Sequence, residues 1–565
     1  MRSIIKKALQ DISENNSQVV VDVPLERFGD YSTNLALISA PRGTNPRTYA
    51  EGLVYKLKAN QDLMNLIERI EIAGPGFINF FVKQETLLLE LAKLVSQENR
   101  YLNQADRKGT VLIEYSSPNI AKRFSIGHLR STIIGDALKK LYSALGYKVI
   151  GENHLGDWGT QFGMIIAQIV RHDLDPKDLS VEDLEKLYVE FNNEMKNNPS
   201  LRDIAKEWFK KLENKDPTAR QIWQIVKEIS LREFKRIYDM LGVNIENDHG
   251  ESFYEEKMPE VISLVKKAGI CQVGEGGAII VPFDDMPPAM LVKSDGTTTY
   301  FTRDLAAFYY RIKTWNPSIL IYEVGSDQTL HFKQVFETVK KLGWSDGREL
   351  KHVAHGLIRF HHGKMSTRRG ETIKLEEVLE ESVQRSKLII KNSETDKGLT
   401  EEEVKLLSYD VGIGAVKYFD LSHSPERDII FDWDKIIVLE GNSGPYLQYT
   451  YARTQSILEK SNFSDLDIGT LDTTKLKSKI LDNELSLLRH IIHFKEVLED
   501  AATTYSPNLL CNYLYLLSQK YNSYYSSNKI IGSENEFFRV VLTKAVGILI
   551  KNGLSILGIK TPPRM

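Results

Sequence analysis

The sequence predicts an α/β protein: a parallel-sheet domain with a helical insertion, preceded by a small α/β domain and followed by an all-helical bundle. Three observations carry this prediction. From Val111 to Ile150 the chain alternates strand, helix and strand, the pattern of a βαβ unit in a parallel sheet. Beyond about residue 375 almost everything has helical periodicity instead. The length, 565 residues, exceeds what one hydrophobic core organises, so three or four domains are expected.

Residues 1–105 read as the small α/β domain. Ile4, Ile5, Ala8, Leu9 and Ile12 recur on one helical face. The basic start, Arg2, Lys6 and Lys7, therefore reads as a first helix rather than a targeting segment. Val19-Val20-Val21-Asp22-Val23 reads as a strand, and Ala73-Gly74-Pro75-Gly76 as a turn entering another that runs through Phe81. The polar stretch from Asn99 to Lys108 is the expected linker.

Residues 106–350 read as the parallel-sheet domain. A buried-type strand, Val111 to Tyr115, leads into a loop containing Pro118. A helix starts near Gly127, with Leu129, Ile133, Ala137, Leu141 and Leu145 recurring every four residues, and Gly146 is placed to end it. Lys148-Val149-Ile150 begins the next strand, and further strands are expected from Ile319 to Val324 and from His352 to Ala354. The charged helical stretch at about 175–260 reads as an insertion. Residues 351–445 read as a second-motif and helical stem region, and 446–565 as a helical domain. Tyr521, Tyr524 and Tyr525 fall at helical spacing there, which favours core packing over an RNA platform.

The bulk composition is ordinary for a globular protein: 42% hydrophobic, 26% charged, net charge −3 from 73 basic and 76 acidic residues. That balance does not announce a nucleic-acid binder, but phosphate contact needs only a local basic surface. Cys271 and Cys511, the only cysteines, can build neither a disulfide framework nor a zinc knuckle, which fits a reducing compartment. No apolar run reaches bilayer length. The expectation is a soluble, cytoplasmic protein with no membrane partner.

Two segments carry the chemistry. The first is the loop Ser117-Pro118-Asn119-Ile120-Ala121-Lys122-Arg123-Phe124-Ser125-Ile126-Gly127-His128, which follows the first strand of the sheet. Ligands of open α/β sheets sit outside the carboxyl ends of the strands, where this loop must lie. Gly127 lets backbone approach a nucleotide, the free N–H groups at the helix start favour phosphate, and His128 can donate to charge developing there. The second is His361-His362-Gly363-Lys364-Met365-Ser366-Thr367-Arg368-Arg369-Gly370, a glycine-flanked loop whose cations suit a pyrophosphate.

Together these segments resemble the paired HIGH and KMSKS signatures of class I aminoacyl-tRNA synthetases. Further stretches narrow the resemblance to arginyl-tRNA synthetases: Ser116-Ser117-Pro118-Asn119-Ile120-Ala121-Lys122, His128-Leu129-Arg130-Ser131, His154-Leu155-Gly156-Asp157-Trp158-Gly159, Tyr300-Phe301-Thr302-Arg303-Asp304-Leu305-Ala306 and Gly444-Pro445-Tyr446-Leu447-Gln448-Tyr449. The resemblance spans essentially the whole chain. It implies a Rossmann-type catalytic domain that joins L-arginine to its tRNA through arginyl-adenylate, using ATP with Mg²⁺. It also implies an N-terminal domain contacting the tRNA elbow, a C-terminal anticodon-binding bundle and a monomer. In the family, amino-acid activation generally waits for bound tRNA. The arginine site it implies comprises Ser117, Pro118, Asn119, His128, Glu251, Tyr300, Asp304 and Gln328. The ATP site comprises Ser125, Gly127, His128, Gly156, Asp157, Lys364, Met365 and Ser366, and the catalytic groups are His128, Lys122, Lys364 and Ser366. No metal ligands among the side chains are implied.

The arginine pocket makes chemical sense, because a permanently charged five-donor guanidinium requires carboxylates and other acceptors. Two departures stand out: Ser125 replaces the first His of HIGH, and Thr367 replaces the later Lys of KMSKS. In the family Lys122 compensates for the second. Two other activities remain open to the sequence, a tRNA-independent adenylyltransferase of the same fold and a non-catalytic RNA-binding paralogue.

Overall fold

The computed structural model describes residues 1–13, 19–98, 101–102, 109–360, 373–392, 398–461 and 479–565. The chain starts with the helix Arg2–Ile12, which buries Ile5, Ala8 and Leu9. Three antiparallel strands follow, β1 (Tyr31–Thr33), β2 (Ile67–Ala73) and β3 (Phe77–Val82), in the order β1-β3-β2. The β2–β3 hairpin turns on Gly74 and Gly76, both at positive φ (54° and 143°). The strand expected at Val19 to Val23 does not form: it contributes one isolated bridge, Asp22 to Ser32. Pro24 has no N–H to extend a ladder, and Val20 and Val23 stay about half exposed.

The central sheet has the order β10-β9-β4-β5 and is parallel throughout: β4 (Thr110–Glu114), β5 (Lys148–Glu152), β9 (Ile319–Gly325) and β10 (Glu349–His355). Its two central strands, β4 and β9, are the near-continuous apolar runs expected of a parallel sheet, while the edge strands β5 and β10 are more polar. From β4 the chain crosses through the helix Gly127–Ala144 to β5, and later returns to β9 on the other side of β4. The topological switch therefore lies between β4 and β9, the place where such sheets bind ligands.

Between β5 and β9 lie the helices Val181–Asn197, Leu201–Glu213 and Pro217–Leu241. The first is capped by a reciprocal Ser180–Asp183 box, and the last ends on Gly242 in the left-handed region. A small antiparallel sheet comes next, β6 (Gln272–Val273), β7 (Ile279–Val281) and β8 (Ala289–Val292). The sequence reading missed it, since strands of two to four residues leave no readable alternation. A parallel pair, β11 (Ile358–Phe360) and β12 (Ile429–Phe431), lies beyond β10.

The helices Leu375–Asn392 and Glu401–Leu421 lead to the C-terminal bundle, Gly444–Lys460, Asp482–Ile491, Phe494–Thr503, Asn508–Ser527 and Glu536–Ile556. Tyr521 and Tyr524 are fully buried in it, whereas Tyr525 is 36% exposed beneath the Arg453 guanidinium. The N-terminal domain rests on this bundle. Glu496, buried, accepts from the Arg2 backbone N–H at 2.8 Å and from the Tyr31 hydroxyl at 3.0 Å, and Lys520 pairs with Glu26 at 2.7 Å.

Gly135, midway along the helix Gly127–Ala144, has no room for a side chain: a Cβ there would overlap the Tyr115 side chain. Gly→Ala in a helix ordinarily stabilises by about 0.5–1 kcal/mol. Here overpacking outweighs that gain, and Gly135→Ala is expected to lose about 1–3 kcal/mol. A urea midpoint equal to or above the wild type's would contradict this packing.

Candidate active site at the sheet switch point

The loop leaving β4 is bent sharply at three non-glycine residues, Ser116, Ser117 and Ala121, at φ of 70°, 47° and 61°. Each bend is held. The Ser116 N–H donates to Ser131 Oγ at 2.9 Å, the Ser117 N–H to Asn153 Oδ1 at 3.1 Å and the Ala121 N–H to Ser230 Oγ at 3.0 Å. The loop is stitched to the one leaving β5, with the Ile120 N–H donating to Gly156 O and the Gly156 N–H to Pro118 O. A Cβ at Gly156 would coincide with Asn119 Oδ1, so glycine is required for Asn119 to sit there. Asn119 itself is exposed at the crevice, Pro118 is buried, and Ser117 Oγ is buried with no hydrogen-bond partner among the described residues.

His128 stands in the first turn of the helix Gly127–Ala144, beside exposed Gly127. Its Nδ1 lies 3.0 Å from both the Ser125 N–H and Ser125 Oγ. A backbone N–H only donates, so Nδ1 must offer its lone pair and the ring proton resides on Nε2. Burial pushes the ring below the ordinary histidine range, and neighbouring Lys122 and His355 act the same way. The arrangement presents a neutral imidazole with one outward donor. Ser125 thus fixes the tautomer of the histidine three residues later. The Lys122 ammonium lies 5.4 Å from the ring centroid of Tyr188 in the inserted helices, and Arg123 is committed to Glu182 and Glu185.

The second motif, with Lys364, Met365, Ser366 and Thr367, lies outside the described residues. Its two ends do not. β11 enters it, and on its far side the Ile126 N–H donates to Ile373 O while the Leu375 N–H donates to Phe124 O, each at 3.0 Å. Arg130, buried, donates to the carbonyls of Gly356 and Arg427 at 3.0 and 2.7 Å and pairs with buried Asp420 at 3.1 Å. The two sequence motifs are therefore bound to each other on both flanks.

An acidic corner lies at the β5 exit loop. Asp304, in the first turns of the helix Tyr300–Trp315, contacts His331 Nε2 at 2.5 Å and His154 Nε2 at 3.4 Å. Burial pushes this carboxyl up, but the His331 hydrogen bond and the charges of His331, His154 and Arg311 outweigh it, leaving it below the ordinary aspartate range. Tyr300, 58% exposed, lays its ring 4.8 Å from that of His331. Glu251, raised above the ordinary range by burial, feels Asp304 and lies 3.4 Å from Arg303. Gln328 ends the short turn after β9, on the other side of the switch point.

The β5 exit loop joins these parts. His154 reaches Asp304, Leu155 O accepts the Glu251 N–H at 2.9 Å, and Gly156 abuts Asn119. Asp157, expected at the nucleotide, is placed otherwise. Its carboxylate is fully buried, taking Lys227 Nζ at 2.6 Å, the Ser252 N–H at 2.8 Å and the Ser252 hydroxyl at 2.6 Å. It anchors the turn bearing Glu251 rather than facing the crevice. Sequence reasoning missed His154 and His331 as partners of Asp304. His154 stood within a quoted motif, whereas His331 had no signal beyond following Gln328 by three residues.

The chain matches the family described as tRNA synthetases class I (R), catalytic domain, over residues 90–433. It also matches the arginyl tRNA synthetase N terminal domain over 1–82 and the DALR anticodon binding domain over 447–565. An arginine–tRNA ligase of Halothermothrix orenii is 37% identical over 572 residues, covering 100% of this chain and 98% of that protein. One of Fusobacterium nucleatum is 39% identical, covering 99% and 98%. The crystal structure of arginyl-tRNA synthetase from Plasmodium falciparum superposes with a TM-score of 0.86 at 27% identity, covering 100% and 99%. The Thermus thermophilus arginyl-tRNA synthetase shares the fold at 0.83 and 20% identity, covering 100% of both chains.

The Asp157 anchor can be tested through stability. Lys227→Met leaves a buried carboxylate without its cation, a change that costs about 3–5 kcal/mol, with the two Ser252 bonds holding the loss toward the lower end. Adding Asp157→Asn should recover most of it. Denaturant titration of the single and double variants checks both, and additive losses would break the pairing.

Proposed function

Because the chain belongs to the class I arginyl-tRNA synthetases, it is an ATP-dependent arginine–tRNA ligase, and we propose the following division of labour among its residues. The observation that carries this reading is the joining of the two signature segments by the 124–126 and 373–375 backbone bonds, beside a carboxylate corner at the switch point. The match over all three parts of the chain gives no support to an adenylyltransferase that ignores tRNA or to a non-catalytic RNA-binding protein.

Arginine enters with its guanidinium at Asp304, where Glu251 and Tyr300 complete the corner, and its ammonium between Asn119 and Gln328. Ser117 and Pro118 shape the wall, and the unpartnered Ser117 hydroxyl offers a further polar contact. ATP lies over Ser125, Gly127 and Gly156, against the segment with Lys364, Met365 and Ser366. Asp157 acts by positioning. The arginine carboxylate attacks the α-phosphate and pyrophosphate leaves. A terminal ribose hydroxyl of the tRNA then attacks the carbonyl, and AMP leaves. His128 donates from Nε2 to the phosphate in the first step, while Lys122 and Lys364 balance its charge. Mg²⁺ belongs to the ATP phosphates as part of the substrate. We assign 1–105 to the tRNA elbow, 106–350 to catalysis, 351–445 to the stem and 446–565 to the anticodon. Contacts at both ends favour the state competent for activation when tRNA binds. The enzyme acts as a cytoplasmic monomer.

Charging assays with the twenty amino acids and total tRNA test the activity, and arginine alone should be esterified. Asp304→Asn removes the carboxylate facing a desolvated cation. The cost of about 3–5 kcal/mol corresponds to two or more decades in arginine kcat/KM, with the KM for ATP little changed. Normal arginine kinetics in this variant would refute the pocket. His128→Ala is expected to lower kcat about 10²–10³-fold while sparing arginine affinity. Because neutral His128 is the donor, the wild-type kcat at saturating arginine should fall only as acid protonates the ring, below the ordinary histidine range. A rate that instead falls on raising pH through that range would show the charged ring to be the active form.

A further inference from the structure

The turn after β9 that carries Gln328 has little packing of its own, with Ser326 and Asp327 exposed. What lies beneath it is a histidine from the neighbouring strand. His355 ends β10 opposite Gly325. Its Nδ1 bonds Glu323 Oε1 at 2.9 Å, and its Nε2 lies beside Gly325, the last residue of β9 before the turn, 3.6 Å from where a Cβ there would be. The ring thus bridges a carboxylate within β9 and the strand's last residue, from which the turn departs. Glu323 is fully buried, and its Oε2 has no hydrogen-bond partner among the described residues.

Both ends of this bridge are fastened to the signature helix. Ser131 Oγ donates to Glu323 O at 2.9 Å, and Arg130 holds the carbonyl of Gly356, the residue after His355. The charged groups around the ring are Glu323 from β9, Arg130 and His128 from the helix Gly127–Ala144, Asp420 from Glu401–Leu421 and His352 from its own strand. Two buried carboxylates therefore face one arginine. Their charge balances only when His355 carries a proton, and a buried charge left unpaired is costly.

We propose that His355, paired with Glu323, is a positioning residue of the arginine site that holds the turn at 325–328 so that Gln328 meets the substrate. The proposal rests on the reading of Gln328 given above. Burial works against the charge on the ring, but Glu323, through its charge and its hydrogen bond, outweighs it and keeps His355 above the ordinary histidine range. The sign follows from linkage: the pair is complete below a pH of about 6.5 and is lost as pH rises through the raised value.

The test is steady-state aminoacylation by the full chain over about pH 6–9, comparing the wild type with His355→Gln, Glu323→Gln and Gln328→Ala. The wild-type KM for arginine should rise on the alkaline side. His355→Gln and Glu323→Gln should raise it about three- to tenfold near neutrality, with kcat changed by less than about twofold, and should flatten its pH dependence. Unchanged KM and pH profile in both, beside an impaired Gln328→Ala, overturn the inference alone. An unchanged arginine KM in Gln328→Ala removes the reading of Gln328 and the inference with it. Should His355→Gln fail to fold, the isosteric Glu323→Gln carries the kinetic test. ¹³C-histidine NMR of the wild type, with the His355 signal located by its shift in Glu323→Gln, supplies a second reading. Titration at or below the ordinary histidine value overturns the proposal, and titration above it supports the pairing.

Discussion

The site depends on one close approach, that of the β4 and β5 exit loops at Asn119 and Gly156. Parallel neighbouring strands deliver their loops to the same edge, and there the Asn119 side chain takes the place that a Cβ on the facing loop would fill. Gly156 supplies that gap. Once the loops are joined, the residues beside Gly156 fall into place. His154 reaches Asp304 on a helix more than a hundred residues later, Leu155 receives Glu251, and Asp157 is buried against Lys227. A single contact between two turns thus fixes the distance between Asn119 and the carboxylate corner of Asp304 and Glu251.

Charge is organised by the same geometry. Glu114, Glu152 and Glu323 stand at or near the carboxyl ends of three adjacent strands, all buried. Each has a cationic or ionisable partner from another element: Arg311 at 2.5 Å, His249 at 2.7 Å and His355 at 2.9 Å. Buried carboxylates do little for net stability but are intolerant of losing a partner. They therefore hold the helix of Asp304, the segment before Glu251 and the end of β10 to a common frame. Catalysis by placement rather than by a covalent nucleophile needs such a frame.

Much of this was legible in the sequence because its signals are local. Leu129, Ile133, Ala137 and Leu141 announced the signature helix, and the apolar runs announced β4, β9 and β10. What was not legible depends on partners far along the chain. Nothing near Asp157 reveals that Lys227 and Ser252 will claim its carboxylate, and nothing near Asp304 points to His331. Ser125 looked like a weakened signature residue when read as a phosphate donor. That the backbone N–H at this position sets the His128 tautomer, with the serine hydroxyl beside the same nitrogen, emerges only when the helix turn brings the two within 3.0 Å. Val19 to Val23 had the composition of a strand, yet Pro24 and the half-exposed valines limit it to one bridge. β6, β7 and β8 are too short for any period to declare them.

The seating of the N-terminal domain on the C-terminal bundle also has a consequence in time. The Arg2 to Glu496 bond joins residues 494 apart in the chain. At a synthesis rate of about 5–20 residues per second, the first helix leaves the ribosome roughly 25–100 s before its partner exists. The N-terminal domain must therefore settle on its own core, Ile5, Ala8 and Leu9 against their neighbours, and wait with Arg2, Glu26 and Tyr31 unmatched. Its docking surface joins these polar groups to the helix Gln84–Ser96, which packs on Asp482–Ile491 and Glu536–Ile556, so part of its apolar surface waits uncovered during that interval. The ion pairs and the Tyr31 hydrogen bond of this seam are therefore among the last contacts the chain can make.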